Sequence, residues 1–201
     1  MDSNNKRTHF KTKKSVSKEE LKNLQKNWGK RNKKMIVCGS LQKSSSLNKI
    51  LIEINKDPSV CILTETTSNL YNESFISCID RTLERINDNP KFYPEIVITI
   101  GNSIISKKLK SLLRKNNPEE HWHVEESNRA QDIFSSLTHF IPVESEDFFK
   151  DFLGGYQSNK DSNFSNDWYL EFEKSEKNHL QYLLSCKWSD IKAHDLIQKQ
   201  L

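Results

Sequence analysis

Between residues 34 and 153, short apolar runs alternate with longer segments whose apolar positions recur every three or four residues. Lys34-Met-Ile-Val-Cys-Gly39, Val60-Cys-Ile-Leu63 and Ile96-Val-Ile-Thr-Ile100 are short runs rich in β-branched residues. Such runs predict strands buried on both faces, as in a parallel sheet. His121–Val124 and Leu137–Val143 predict two further strands. Helices are predicted between them. One spans Ser44–Lys56, with Leu47, Ile50, Leu51 and Ile54 on one face, and stops at Asp57-Pro58. Another spans 73–87, carrying Phe75, Ile76, Ile79, Leu83 and Ile86, and stops at Asp88-Asn89-Pro90. A third follows Gly101, capped by Asn102 or Ser103, and ends near Asn116-Asn117-Pro118. A fourth spans Ser145–Leu153, with Ser145 as its cap and Phe148, Phe149 and Phe152 inward. Regular alternation with short loops predicts an α/β fold, a parallel sheet with helices on both faces.

The flanks read differently. Residues 1–16 are polar and basic and predict a flexible lead. Ser17-Lys-Glu-Glu20 fits a capping box, and Leu21, Leu24 and Trp28 continue it as a helix over 18–29 that Gly29 ends. Gly154-Gly155 and the polar stretch to Asn166 predict a linker. Beyond it the period is helical, through Trp168, Leu170, Phe172, Leu180 and Leu183, then Trp188 and Ile191 to Leu201. These additional C-terminal helices carry too little apolar surface for a second domain. The expected organisation is a lead over 1–16, a central α/β domain over 17–155, and a linker with helices over 156–201.

Composition narrows the function classes. The longest apolar runs are about five residues, against roughly 20 for a membrane span, and the start of the chain has no apolar signal-peptide core. The net charge is +4, with a basic excess in Lys6–Lys34 that reads as a solvated segment rather than a nucleic-acid arm. Cys38, Cys61, Cys78 and Cys186 are widely spaced, without a CxxC, and read as reduced thiols of a cytoplasmic protein. Val37-Cys-Gly-Ser40 and Ile98-Thr-Ile-Gly-Asn-Ser103 each have one glycine where a dinucleotide fingerprint needs three, and neither is a P-loop.

A parallel sheet without the fingerprint still binds ligands at the carboxyl ends of its strands. The loops to watch are therefore Gly39–Ser45, Thr64–Asn72, Gly101–Ser106 and Glu125–Arg129. Lys107 and Lys108 fall early in the helix after Gly101, where the helix dipole does not favour a cation. Two readings stay open: ordinary solvated lysines, or contact with an anionic ligand at the helix start. His121 and His123 share a strand face and read as a solvent-edge or domain-contact pair rather than metal ligands. Glu65, just past a strand end, reads as a loop acid bonded to Thr66, Thr67 or Ser68, with a catalytic carboxylate as the alternative.

Several of these segments carry a family resemblance. Ile62-Leu-Thr-Glu-Thr-Thr-Ser-Asn-Leu70, Phe75-Ile-Ser-Cys-Ile-Asp-Arg81, Pro94-Glu-Ile-Val-Ile-Thr-Ile-Gly101, Ser106-Lys-Lys-Leu-Lys-Ser-Leu-Leu-Arg114 and Glu120-His-Trp-His-Val124 resemble the central, Rossmann-like domain of one family. It is the 2-succinyl-5-enolpyruvyl-6-hydroxy-3-cyclohexene-1-carboxylate synthases, thiamine-diphosphate-dependent enzymes of menaquinone biosynthesis. The likeness runs over about residues 33–145, and the Trp188–Leu201 region resembles the lead into that family's last domain. The resemblance implies decarboxylation of 2-oxoglutarate and addition of the succinyl unit to isochorismate. It implies thiamine diphosphate with magnesium or manganese, and a homo-oligomer through the full-length protein. Lys107 and Lys108 match by position a basic pair facing isochorismate, with Lys108 where some relatives have Arg, a point charge in place of a bidentate fork. The family's GDG…N cofactor motif and its pyrimidine-domain glutamate are not in this sequence. The expected chain is thus a fragment, inactive alone, supplying scaffold and part of a substrate pocket. The rival readings are a non-catalytic binding or assembly module of the same fold and, behind it, a free-standing nucleotide-binding domain.

Overall fold

The computed structural model describes residues 15–127 and 132–200. The lead expected over 1–16 lies outside them except for Ser15 and Val16, as do Arg129 and Leu201. Five parallel strands form one sheet in the order β2-β1-β3-β4-β5, where β1 is Lys34–Cys38, β2 Val60–Thr64, β3 Ile96–Ile100, β4 Glu120–Val124 and β5 His139–Ile141. The order reverses between β1 and β3, so that pair is the switch point of a doubly wound sheet.

Strand parity sorts the core into two layers. Ile36, Cys38, Ile62, Ile96, Ile98, Ile100, Trp122 and Val124 face α1 (Lys18–Gly29), α2 (Ser45–Ile54) and α5 (Ser145–Leu153). Met35, Val37, Leu63 and Val97 face α3 (Ile79–Ile86), α4 (Lys107–Lys115) and α6 (Phe164–Ser185). Every residue of β1, β2 and β3 is buried, which is why these strands read as continuous apolar runs. Beneath the amino ends of the strands, the fully buried Lys34 ammonium lies 3.4 Å from Asp57 and over the Trp28 ring. Ser59 and the Asn159 N–H also donate to Asp57, so one carboxylate ties β1, the turn before β2 and the segment after α5. Burial pushes the Asp57 carboxyl up, but its hydrogen bonds and Lys34 outweigh that and hold it below the usual range.

The predicted helix over 73–87 is shorter than its period suggests: α3 starts at Ile79. Ile76 instead pairs with β2, its N–H donating to Ile62 O (2.9 Å) and its O accepting from the Thr64 N–H (2.9 Å), while Phe75 closes the turn before it, its N–H donating to Asn72 O (3.1 Å). β2 is the sheet edge, and its outward backbone groups need partners more than two apolar side chains need a helix. Two helix caps also move. Ser106, not Asn102 or Ser103, caps α4 by accepting from the Leu109 N–H, and Glu144, not Ser145, caps α5. The segment read as following the linker docks on the sheet: Phe164 and Trp168 are buried, and Trp168 meets Phe92 edge to face at 5.8 Å. The end of α6 and α7 (Asp190–Gln198) expose Leu184, Trp188 and Ile197.

Candidate functional site

The carboxyl edge of the sheet is bound together by backbone. The Asn102 N–H donates to Ser40 O (2.9 Å), and the Leu41 N–H donates to Thr67 O (3.1 Å), so the loops after β1, β2 and β3 hold one another. Two glycines make the crossing possible. A Cβ on Gly39 would fall 2.2 Å from Asn102 O, and one on Gly101, where φ is +74°, would fall 2.6 Å from Ser40 O. Beside the crossing, a cavity of about 530 Å³ is lined by Ser40–Ser44, Asn102 and the acids Glu125, Glu126 and Glu144. Among its lining residues Lys43 is the one cation, a poor setting for phosphates.

A second groove, of about 540 Å³, lies between the end of β2 and the starts of α3 and α4. Its lining brings together Glu65, Cys78, Asp80, Arg81, Ile105 and Lys107. Lys107 is the first residue of α4, and among the described residues no carboxylate lies within ion-pair distance of it. Arg81 is partly neutralised: its guanidinium donates to Glu176 (2.7 Å) on α6 and to the Cys78 sulfur (2.6 Å). Asp80 accepts the hydroxyl proton of Ser106, tying the first turn of α3 to the cap of α4.

Glu65 is placed differently from expectation. Its backbone N–H does bond Ser68 Oγ (2.9 Å), but its carboxylate reaches across the groove floor. Both oxygens accept from the Ile105 N–H at 2.7 Å, and Oε1 also accepts from the Ser106 N–H at 2.7 Å. The anion at the start of α4 is therefore a side chain of the chain itself, set where the dipole favours it.

Lys107 and Lys108 do not share a groove. Adjacent residues on a helix point about 100° apart, and Lys108 lies over the neighbouring hollow with Leu83, Asn87 and Lys115, where it pairs with Glu84.

The histidine pair is buried, not at a solvent edge. The strand-register partner of His123 is Thr99, whose hydroxyl sits 3.0 Å from His121 Nε2 and 2.9 Å from His123 Nδ1. His123 Nε2 faces the Glu125 carboxylate at 3.1 Å, so that nitrogen carries the proton and Nδ1 accepts from Thr99. Thr99 in turn accepts from His121 Nε2–H, which leaves His121 Nδ1 facing Ser136 Oγ at 3.4 Å. Burial, then repulsion from His123, pushes the His121 pKa down to about 4. Among the described residues no group of three His, Cys, Asp or Glu side chains is arranged to hold a metal ion. Cys38 and Cys61 are buried and free, and burial pushes both thiols up.

Sequence reasoning missed Asp80 and Arg81 as groove residues. A helix drawn from 73 places them in its middle, whereas the helix that forms starts at Ile79 and brings both to the strand ends. The signal that would have found them is the pairing demand of an edge strand, which claims Ile76.

A family model described as the middle domain of thiamine pyrophosphate matches residues 3–196. The chain is 35% identical over 178 residues to a 2-succinyl-5-enolpyruvyl-6-hydroxy-3-cyclohexene-1-carboxylate synthase of Flavobacterium johnsoniae, covering 87% of this chain and 32% of the relative. To the enzyme of the same name from Flavobacterium psychrophilum it is 36% identical, with the same coverage. To that of Porphyromonas gingivalis it is 30% identical, covering 83% of this chain and 30% of the relative. The chain thus spans about a third of the length of these relatives. A five-stranded parallel sheet between helical layers, matched along nearly all of its sequence, makes this chain a member of the thiamine pyrophosphate enzyme middle-domain family.

Proposed function

We propose that this chain serves as the central domain of a synthase that decarboxylates 2-oxoglutarate on thiamine diphosphate and transfers the succinyl unit to isochorismate in menaquinone biosynthesis. Residues 17–155 form the α/β scaffold in this reading, and 156–201 lead on toward a further domain. The carrying observation is Lys107: a cation at a helix start, without a carboxylate partner among the described residues, at the rim of a groove with apolar Ile79 and Ile105. An unneutralised ammonium there suits a carboxylate of isochorismate, and the apolar side chains suit its ring. Lys108 faces the neighbouring hollow and is neutralised there by Glu84, so its part is the smaller.

For the cofactor, the described residues do not fit. Among the described residues no three-donor metal set is present, and the Glu65 carboxylate already stands just before the start of α4, where it would repel a diphosphate. Thiamine diphosphate and its magnesium or manganese ion belong, in this reading, to parts of a longer protein, which would act as a homo-oligomer in the cytoplasm.

The test is steady-state kinetics of the full-length protein. Lys107→Ala is expected to raise KM for isochorismate by about ten- to a hundredfold, the scale of one lost charge-assisted contact. Lys108→Ala is expected to raise it by about threefold or less. Thiamine diphosphate affinity should stay unchanged in both. An unaltered isochorismate KM in Lys107→Ala would sink the assignment.

A further inference from the structure

We propose that Glu65 is a positioning residue for the acceptor-substrate groove, holding Lys107 in place through the backbone of Ile105 and Ser106. The inference rests on the reading of Lys107 given above. Its geometry is independent of that reading.

Residues 101–106 form an irregular crossing from β3 to α4, and Lys107 is the first helical residue after it. A lysine ammonium sits on a flexible stem, so its reach is defined only where the backbone beneath it is fixed. In the last part of this crossing Ile104 and Ser106 are buried, but Ile105 between them is 61% exposed. Beside the Ser106 hydroxyl's bond to Asp80, the backbone here is tied by the Glu65 carboxylate, with its three 2.7 Å contacts to the two N–H groups directly before Lys107.

The other end of the tie is rigid. Glu65 follows the last residue of β2, its N–H donates to Ser68 Oγ, and that hydroxyl donates to Cys38 O at 2.6 Å, at the end of β1. A carboxylate anchored on two strand ends thereby sets where α4 begins. It does so by binding the two N–H groups just before the helix, and the Lys107 ammonium is the cation presented beyond them.

A double-mutant cycle in the full-length protein tests this. Glu65→Ala is expected to raise KM for isochorismate by about tenfold, with kcat and the 2-oxoglutarate KM within about twofold of wild type. In a Lys107→Ala background the same change should move the isochorismate KM by less than about twofold, because a group that acts through Lys107 has nothing left to position. Glu65→Gln keeps one oxygen acceptor and should fall between wild type and Ala; it also carries the cycle if Glu65→Ala does not fold. An isochorismate KM that Glu65→Ala leaves unchanged, or raises equally in both backgrounds, overturns the positioning role while leaving the reading of Lys107 intact. An isochorismate KM unmoved by Lys107→Ala overturns that reading, and the positioning role with it.

Discussion

At the scale of single residues, the perturbation that bears on stability at mildly acidic pH is that of His121. Its ring is enclosed by Thr99, Phe134, Ser136 and His123, with Asp132 as the nearest opposing charge and Glu125 beyond His123. The folded pKa of about 4 lies below the unfolded value of 6.5, so between these values the unfolded chain binds a proton that the folded chain refuses. Unfolding then takes up a proton, and stability falls as pH drops from 6.5 to 4. Below pH 4 both states are protonated and the loss is complete. A shift of that size corresponds to roughly 3 kcal/mol. His121→Gln keeps a donor for Thr99 without the titration. Urea unfolding between pH 7 and 4 should therefore show a shallower stability loss in the variant than in wild type, by an amount on that order. Parallel curves would show that His121 does not titrate between folded and unfolded states. That these histidines share a strand face follows from their spacing. That they are buried does not, because nothing local announces Thr99 on the neighbouring strand as their partner.

At the scale of elements, the glycine crossing decides whether the loops can hold one another. Gly101 is left-handed and packed under Ser40, so a side chain there meets both backbone strain and a fixed carbonyl. Gly101→Ala is expected to cost about 2 to 4 kcal/mol, strain and displacement together, read as a lower urea midpoint at unchanged m value. Gly29→Ala is the control: nothing lies within 4 Å of its Cβ position, and no loss is expected. An equal effect at both sites would remove the crossing as the cause. The strands and most helices were legible because each buries its own pattern: β3 is apolar on both faces and α5 brings three phenylalanines to one side. What local pattern could not supply was the outcome of competition between elements. Phe75 and Ile76 have helical spacing with Ile79 and Leu83, yet the edge of β2 takes Ile76 and a turn takes Phe75. Ser106, not Ser103, is the cap because the crossing runs on through Ile105 and the helix begins at Lys107, where Ser106 Oγ meets the Leu109 N–H. The groove inherits this: Lys107 was visible from sequence, whereas Glu65 and Arg81 reach it only through the fold.

At the scale of the whole molecule, the groove is a half-site in the function proposed for it. Its floor is the end of β2, and its two walls are the starts of α3 and α4. Its cations are Lys107 and an Arg81 already engaged with Glu176 on α6. One free ammonium and a few apolar contacts hold a small dianion weakly, because each exposed charge contact contributes little in water. The chemistry asks for more. The decarboxylation proposed for the longer protein needs the cofactor's carbon centre, and among the described residues there is no metal donor set. Relatives about three times as long have room for the missing walls. The 201-residue chain alone, given thiamine diphosphate, magnesium, 2-oxoglutarate and isochorismate, is therefore expected to release no carbon dioxide above the uncatalysed rate. Calorimetry should find isochorismate binding to it at least about tenfold weaker than to the full-length protein, with the difference set by the walls it lacks. Carbon dioxide release by this chain alone would mean that its own residues complete the site, and would overturn the division of labour proposed for it.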